Sequence, residues 1–353
     1  MKPEQKVEPN LGAMPQLILE KIVVGLDFVS LQCLRKASDS LHNHVDDTAP
    51  EANLYDVYVS ADADSITTIY RGRDENSIFS TKVSYKIEQT GCLVASGERS
   101  KLLNGENYAE VAVKDLILIL KHHFGVINHF HVEFPFSDPT CVAQVPIFNQ
   151  FLLTLHDYLE SRTAHLKVKR FHMTLANIDQ LMNVYPFLEA GVLERTSICK
   201  FSGREMQREV ERNPGRGNYE DETNLNEEGE TLNVDRLVQL EQWKSCKDIV
   251  IDDFVVTAPL ANLVNLSQGT VASEAVSLAD LEVIRDAALF SDCPRHLYIR
   301  FKRLVDVNDI STKYGKWYQE ESDHRLVEFR NGNRILKVTF RPYKHFFFSK
   351  FPF

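Results

Sequence analysis

His122, His123, His129 and His131 fall within ten residues, and four imidazoles so close together raise the question of a metal site. The spacing argues against one. Neighbours on a helix point about 100° apart, so His122 and His123 cannot share an ion, and no H-x-x-x-H or H-E-x-x-H pattern occurs. His129 and His131 can share one face of a strand, but no acidic or Cys ligand is read beside them at a useful spacing. Asp62 and Asp64 offer paired carboxylates, yet the glycine and closing Glu of a calcium loop are missing. The six cysteines (Cys33, Cys92, Cys141, Cys199, Cys246 and Cys293) form no C-x-x-C pair. No P-loop, dinucleotide fingerprint or G-x-S-x-G elbow is present. The expectation is a chain with no catalytic residue, no metal and no cofactor. An enzyme whose site is scattered over loops stays open as an alternative.

Composition narrows the class further. The chain has 353 residues, 43% of them hydrophobic and 25% charged, the proportions of a soluble globular protein. Forty Lys and Arg against fifty Asp and Glu give a net charge of −10. Nucleic-acid binding calls for a basic excess, so no nucleic-acid partner is expected. The N-terminal MKPEQKVEPN lacks the apolar run of a secretory signal, and no stretch is apolar enough for a membrane span. The expected location is the cytoplasm or nucleus, with no membrane partner and with reduced thiols.

The elements that would position a binding surface begin at Met14. Residues 1–13 read as a polar disordered tail. Pro15 suits a first helical turn, and Ile18, Ile22 and Leu26 repeat at spacing four, with Leu19 and Val23 beside them. Gly25 and Asp27 mark a stop, Ser30 a cap, and Leu31, Leu34 and Ala37 a second helix, with Leu41 and Val45 beyond a break. These helices are too few to bury their own apolar surface well. Either they cap the rest of this chain or they meet a partner.

Beyond them, Leu54–Val59 and Ser65–Tyr70 read as a hairpin or meander, Val83–Ile87 as a strand, Val111–Phe124 as a helix and Phe130–Phe134 as a buried strand. Phe148–Leu159 is a helix with one apolar face. Strands then alternate with helices: strand 171–175, helix Ile178–Leu188 interrupted near Pro186, strand Ser197–Phe201, helix Leu232–Trp243, strand Ile249–Ile251, an extended segment Leu263–Val271, helix Leu278–Phe290 capped by Ser277, and strand 297–301. That alternation predicts βα units and a mainly parallel sheet, either an irregular leucine-rich-repeat-like array or a closed doubly wound domain. Leu326–Phe329 and Ile335–Phe340 flank Asn331-Gly332-Asn333, a C-terminal β-hairpin. Residues 204–230 hold four arginines against nine carboxylates, −5 in net charge, and read as an acidic flexible surface loop.

Two stretches carry a family resemblance. Met14-Pro15, Leu17-Ile18-Leu19, Ile22, Leu26-Asp27, Leu31 and Leu34-Arg35 resemble the F-box, with Met14 in place of the commoner Leu and Ala37 where Val is frequent. Leu240-Glu241-Gln242-Trp243-Lys244-Ser245-Cys246-Lys247 is similar to the signature of the FTH domain, as are Ser277-Leu278-x-Asp280-Leu281 and the aromatic-rich Tyr314-Gly315-x-Trp317-Tyr318. FTH domains follow an F-box in the nematode-type F-box family. The resemblance implies an α+β protein: a disordered tail (1–13), an all-helical F-box (14–50), a connecting α/β segment (51–145), an FTH domain (146–300) and a β-rich end (301–353). It implies a non-catalytic substrate adaptor that binds a Skp-type adaptor protein, and through it a cullin, with Pro15, Leu17, Ile18, Leu19, Ile22, Leu31 and Leu34 at or just behind that interface. A target protein would then meet outward-facing strand residues, with His172, Thr174, Tyr298 and Arg300 as candidates. An interaction protein acting outside any ligase is the further alternative.

Overall fold

The computed structural model describes residues 11, 14–24, 26, 30–31, 34, 37–48, 52–74, 77–133, 145–200, 230–290, 295–305, 307–314, 325–331, 334–341 and 345–350. The chain divides into two compact units, Met1–Tyr58 with Ser65–Ile127, and Val59–Asp64 with Asn128–Phe353.

The first unit opens with α1 (Gln16–Val24) and α2 (Asp39–Thr48), and residues 30, 31, 34 and 37 between them are also helical. The Pro15 carbonyl accepts from the Ile18 and Leu19 amides, which starts α1 as its ring geometry favours. Ser30, expected as a cap, already has helical backbone. The break falls at Ser38, whose Oγ accepts from the Leu41 amide at 3.3 Å. Val23, Leu31 and Val45 form the helical core, with Leu26 and Leu34 packed against it. Gly25 and Asp27 lie outside the described residues.

Five strands follow in chain order: β1 (Leu54–Ala61, as far as Tyr58 in this unit), β2 (Ser65–Asp74), β3 (Ser77–Glu88), β4 (Gly91–Ser96) and β5 (Arg99–Asn104). The sequence of β4 and β5 lacks the alternation that marks a strand, so neither is predicted from it. They are held by antiparallel pairing with β3 and with each other. Helix α3 (Tyr108–Lys121) begins earlier than expected because Asn107 caps it, accepting from the Ala109 and Glu110 amides. It packs on β2, β3 and β4, and the buried Tyr85 hydroxyl donates to Asp115 at 2.9 Å.

The second unit contains β6 (Ile127–Glu133, from Asn128 onward), β7 (Val168–Leu175), β8 (Arg195–Lys200), β9 (Glu230–Leu232), β10 (Asp248–Val256), β11 (Gln268–Val276) and β12 (Arg295–Leu304). Strands β6, β7, β8, β10, β11 and β12 stand side by side in chain order, and the pairs from β7 to β12 are parallel. A doubly wound sheet reverses its order partway across, and this one does not. The connections carry α4 (Val145–Ser161), α5 (Ile178–Met182), α6 (Glu241–Ser245) and α7 (Leu278–Phe290). Ser277 and Asp280 cap α7 reciprocally, each side chain accepting the other's amide. Phe171, Met173, Ile198, Ile249, Ile251, Leu297, Ile299 and Phe301 line one buried face of the sheet.

Three further segments differ from the sequence expectation. The helix expected over Leu232–Trp243 is instead β9, a 3-10 turn at Leu237–Gln239 and the five-residue α6. Asn233 starts a tight side-chain turn by accepting the Asp235 amide, and Leu240 is extended between the two turns. The helix over Ile178–Leu188 stops at Met182, and Pro186 sits at the start of a separate 3-10 turn. The extended segment Leu263–Val271 divides into a 3-10 turn (Leu260–Leu263) and β11.

After β12 come α8 (Val307–Tyr314), β13 (Arg325–Asn331), β14 (Arg334–Arg341) and β15 (His345–Lys350). The hairpin of β13 and β14 is present, and β15 joins it antiparallel to β12. Gly332 and Asn333 of the turn, residues 204–229 of the acidic segment and Trp317 lie outside the described residues, whereas Glu230 opens β9 and pairs with Lys200 at 2.9 Å. Among the described residues no helix is long and apolar enough to cross a membrane.

Candidate functional site

Two surfaces present side chains whose types suit binding. The first is the outer face of α1. At about 100° per residue, Leu17, Ile18, Lys21 and Val24 fall on one stripe, opposite Leu19 and Val23. Leu17 is 66% exposed, Ile18 47% and Val24 66%, with Pro15 and Met14 exposed at the entrance to the helix. Of the seven residues expected at an adaptor interface, Pro15, Leu17 and Ile18 are presented outward. Leu19 and Leu31 are buried, while Ile22 and Leu34 are half-buried, Leu34 against the helical core. Helix α1 thus has an apolar residue on more of its circumference than its own unit covers.

The second surface is the face of the parallel array opposite its core. Strand register sorts its side chains into rows that run across the strands. Arg170, Arg195, Asp248, Gln268, His296 and Ser349 are successive register partners, and His129 lies beside Arg170 at 3.1 Å. The next row is His172, Ser197, Val250, Thr270, Tyr298 and Phe347. The third contains Thr174, Cys199 and Asp252, followed across a bulge in β10 by Arg300, whose Nη2 is 3.6 Å from Asp252. In that bulge residues 251–254 of β10 oppose the single residue Val271, and Asp253 takes a φ of 64°, the left-handed region that Asp tolerates better than most.

All four candidate target residues therefore stand on one face, with His172 and Tyr298 in the same row. Two need correcting. Thr174 and Arg300 are 5% and 6% exposed, so they brace the face and do not offer free side chains. Sequence alternation gives the side of a strand, but not what neighbouring strands stack over it.

Electrostatics vary along the face. Arg195 approaches Asp248 at 3.4 Å; burial raises the Asp248 carboxyl above its usual range, while Arg195 and Arg170 oppose that shift. The His131 and His172 rings lie 4.0 Å apart, centre to centre. His172 is held well below an ordinary imidazole, chiefly by burial and then by His131 and Arg195. A carboxylate does accompany these histidines: Glu133, two residues on and on the same face of β6, lies 3.4 Å from His131. The pair His129 and His131 belongs to this face, whereas His122 and His123 are buried in the first unit. Among the described residues, no group of three or more His, Cys, Asp and Glu is placed to hold a metal.

The Leu240–Lys247 motif forms no site. Gln242 is buried and donates from Nε2 to the Pro186 and Leu188 carbonyls, both at 2.8 Å. Trp243 donates from its indole to the Asn262 carbonyl at 3.2 Å, and Ser245 Oγ to that of Ala190 at 2.7 Å. The motif fastens α6 to the turns on either side. Cys246, within the motif, is buried, which pushes its thiol up, and Cys92, Cys199 and Cys246 form no disulfide.

No curated protein and no solved structure matches the chain. Residues 149–312, from within α4 to within α8, match the family model of the FTH domain, a stretch that takes in β7 to β12 of the array.

Proposed function

We propose that the chain is the substrate-recognition adaptor of a Skp/cullin/F-box-type ubiquitin ligase, working in the cytoplasm or nucleus. The N-terminal helices dock on a Skp-type adaptor, and the FTH region, read as a leucine-rich-repeat-like array, holds a target protein. Chemistry stays with the conjugating partner, and this chain supplies proximity: a tethered target sees the ubiquitin donor at high effective concentration. The observation that carries the reading is the outward apolar stripe of Leu17, Ile18 and Val24, within the segment whose residue order resembles the F-box.

The test is co-purification with a Skp-type adaptor. Leu17 and Ile18 are the residues to change, because Ile22 is half-buried and its substitution would disturb the helix packing. Wild type recovers the adaptor, and Leu17→Asp with Ile18→Asp does not. Equal recovery by both, or by neither, refutes the docking role.

A further inference from the structure

We propose that the FTH face reads an extended target segment that carries an acidic side chain and, four to six residues away, an aromatic or branched apolar one. This rests on the reading that the second unit holds the target. The cationic end is built by Arg170 and Arg195, register partners on neighbouring strands and both exposed. Like charges side by side repel unless an anion lies between them. The carboxylate placed there by register, Asp248, is one against two guanidiniums, so the pair keeps a net positive charge over this row. His129 extends the same end from β6.

The apolar end lies across the sheet. Tyr298 and Phe347 are register partners, both half-buried, and His296 stacks on Phe347 at 6.3 Å. Three strand steps separate β8 from β12 and four separate β7 from β12. At about 4.8 Å per step these are distances of about 14 and 19 Å. An extended chain advances about 3.3 Å per residue, which sets the acidic and apolar side chains about four to six residues apart. A carboxylate or phosphorylated side chain meets the guanidiniums in charge-assisted hydrogen bonds, and the aromatic end supplies apolar burial.

The experiment presents a display library of random twelve-residue peptides to the purified full chain, which requires no ligase partner. Expected is enrichment of Asp or Glu four to six positions from Phe, Tyr, Trp, Leu or Ile. The best peptide, synthesised with a fluorophore and titrated by anisotropy, should bind Arg170→Ala at least fivefold more weakly and Arg170→Glu with Arg195→Glu more than tenfold more weakly. Arg170→Ala removes only an exposed side chain and stands in if the double variant loses thermal stability. No enrichment, enrichment of basic peptides, or affinity unchanged in Arg170→Ala overturns the proposal. The two readings fail separately: these arginine variants still recover the Skp-type adaptor, and Leu17→Asp with Ile18→Asp still binds the peptide.

Discussion

Replacing Gln242 by Leu tests whether the Leu240–Lys247 motif works as a fastening. The substitution roughly keeps volume and removes both donors. The Leu188 carbonyl is buried in a segment where Leu188 itself is fully covered, so leaving it unpaired costs about 1–3 kcal/mol; the Pro186 carbonyl is partly accessible and rehydrates, at about 1 kcal/mol. The expected loss is about 3 kcal/mol. The chain has two tryptophans, so in a Trp317→Phe background Trp243 is the only indole. Urea unfolding followed by its fluorescence then reports the turn that Gln242 holds. Gln242→Glu should cost at least as much, since a carboxylate donates nothing to either carbonyl. A loss below about 0.5 kcal/mol for Gln242→Leu would refute the reasoning, because exposed substitutions alone reach that size.

Full burial of a side chain such as Leu17 or Ile18 contributes about 2 kcal/mol, and they leave 66% and 47% of their surface open. Their joint change to Ala should weaken Skp-type adaptor binding by about 30-fold in titration calorimetry. The melting temperature should hold within about a degree, whereas Leu31→Ala, inside the helical core, should lower it clearly. His172 has a folded pKa below the ordinary value of 6.5, so the unfolded chain binds the extra proton first. Stability should be full above about 6.5 and fall as pH drops below it, by up to about 1.4 kcal/mol per pH unit, and His172→Asn should flatten that slope in melts between pH 5 and 7.5. At Gly91 an added Cβ would lie 2.0 Å from the Leu103 carbonyl oxygen. Gly91→Ala should therefore destabilise the first unit by about 2–3 kcal/mol, read by denaturant titration.

The parallel array was legible where the sequence alternates against a core, as at Phe171, Met173 and Leu175 or Leu297, Ile299 and Phe301. Long amphipathic helices such as α4 and α7 were legible for the same reason, since one apolar face repeats over several turns. Elements set by pairing or by side-chain turns were not. β4, β5 and β15 depend on neighbouring strands, and the short turns around Leu240 depend on Asn233 and Gln242. At the candidate sites, the spacing of Leu17 and Ile18 placed them on a helix, but only packing shows that they face outward while Leu19 and Leu31 do not. The Arg170 and Arg195 pair was invisible in the chain, where 24 positions separate residues that register makes neighbours.

Because β7, β8, β10, β11 and β12 pair in chain order, each strand supplies one side chain to each of the first two rows of the polar face and leaves the intervening residue to the core. Recognition and stability are thereby written on alternate letters of the same strand. A substitution at one exposed position of these rows changes a single place in one row and leaves the other strands in register, so specificity can drift one strand at a time without renegotiating the fold.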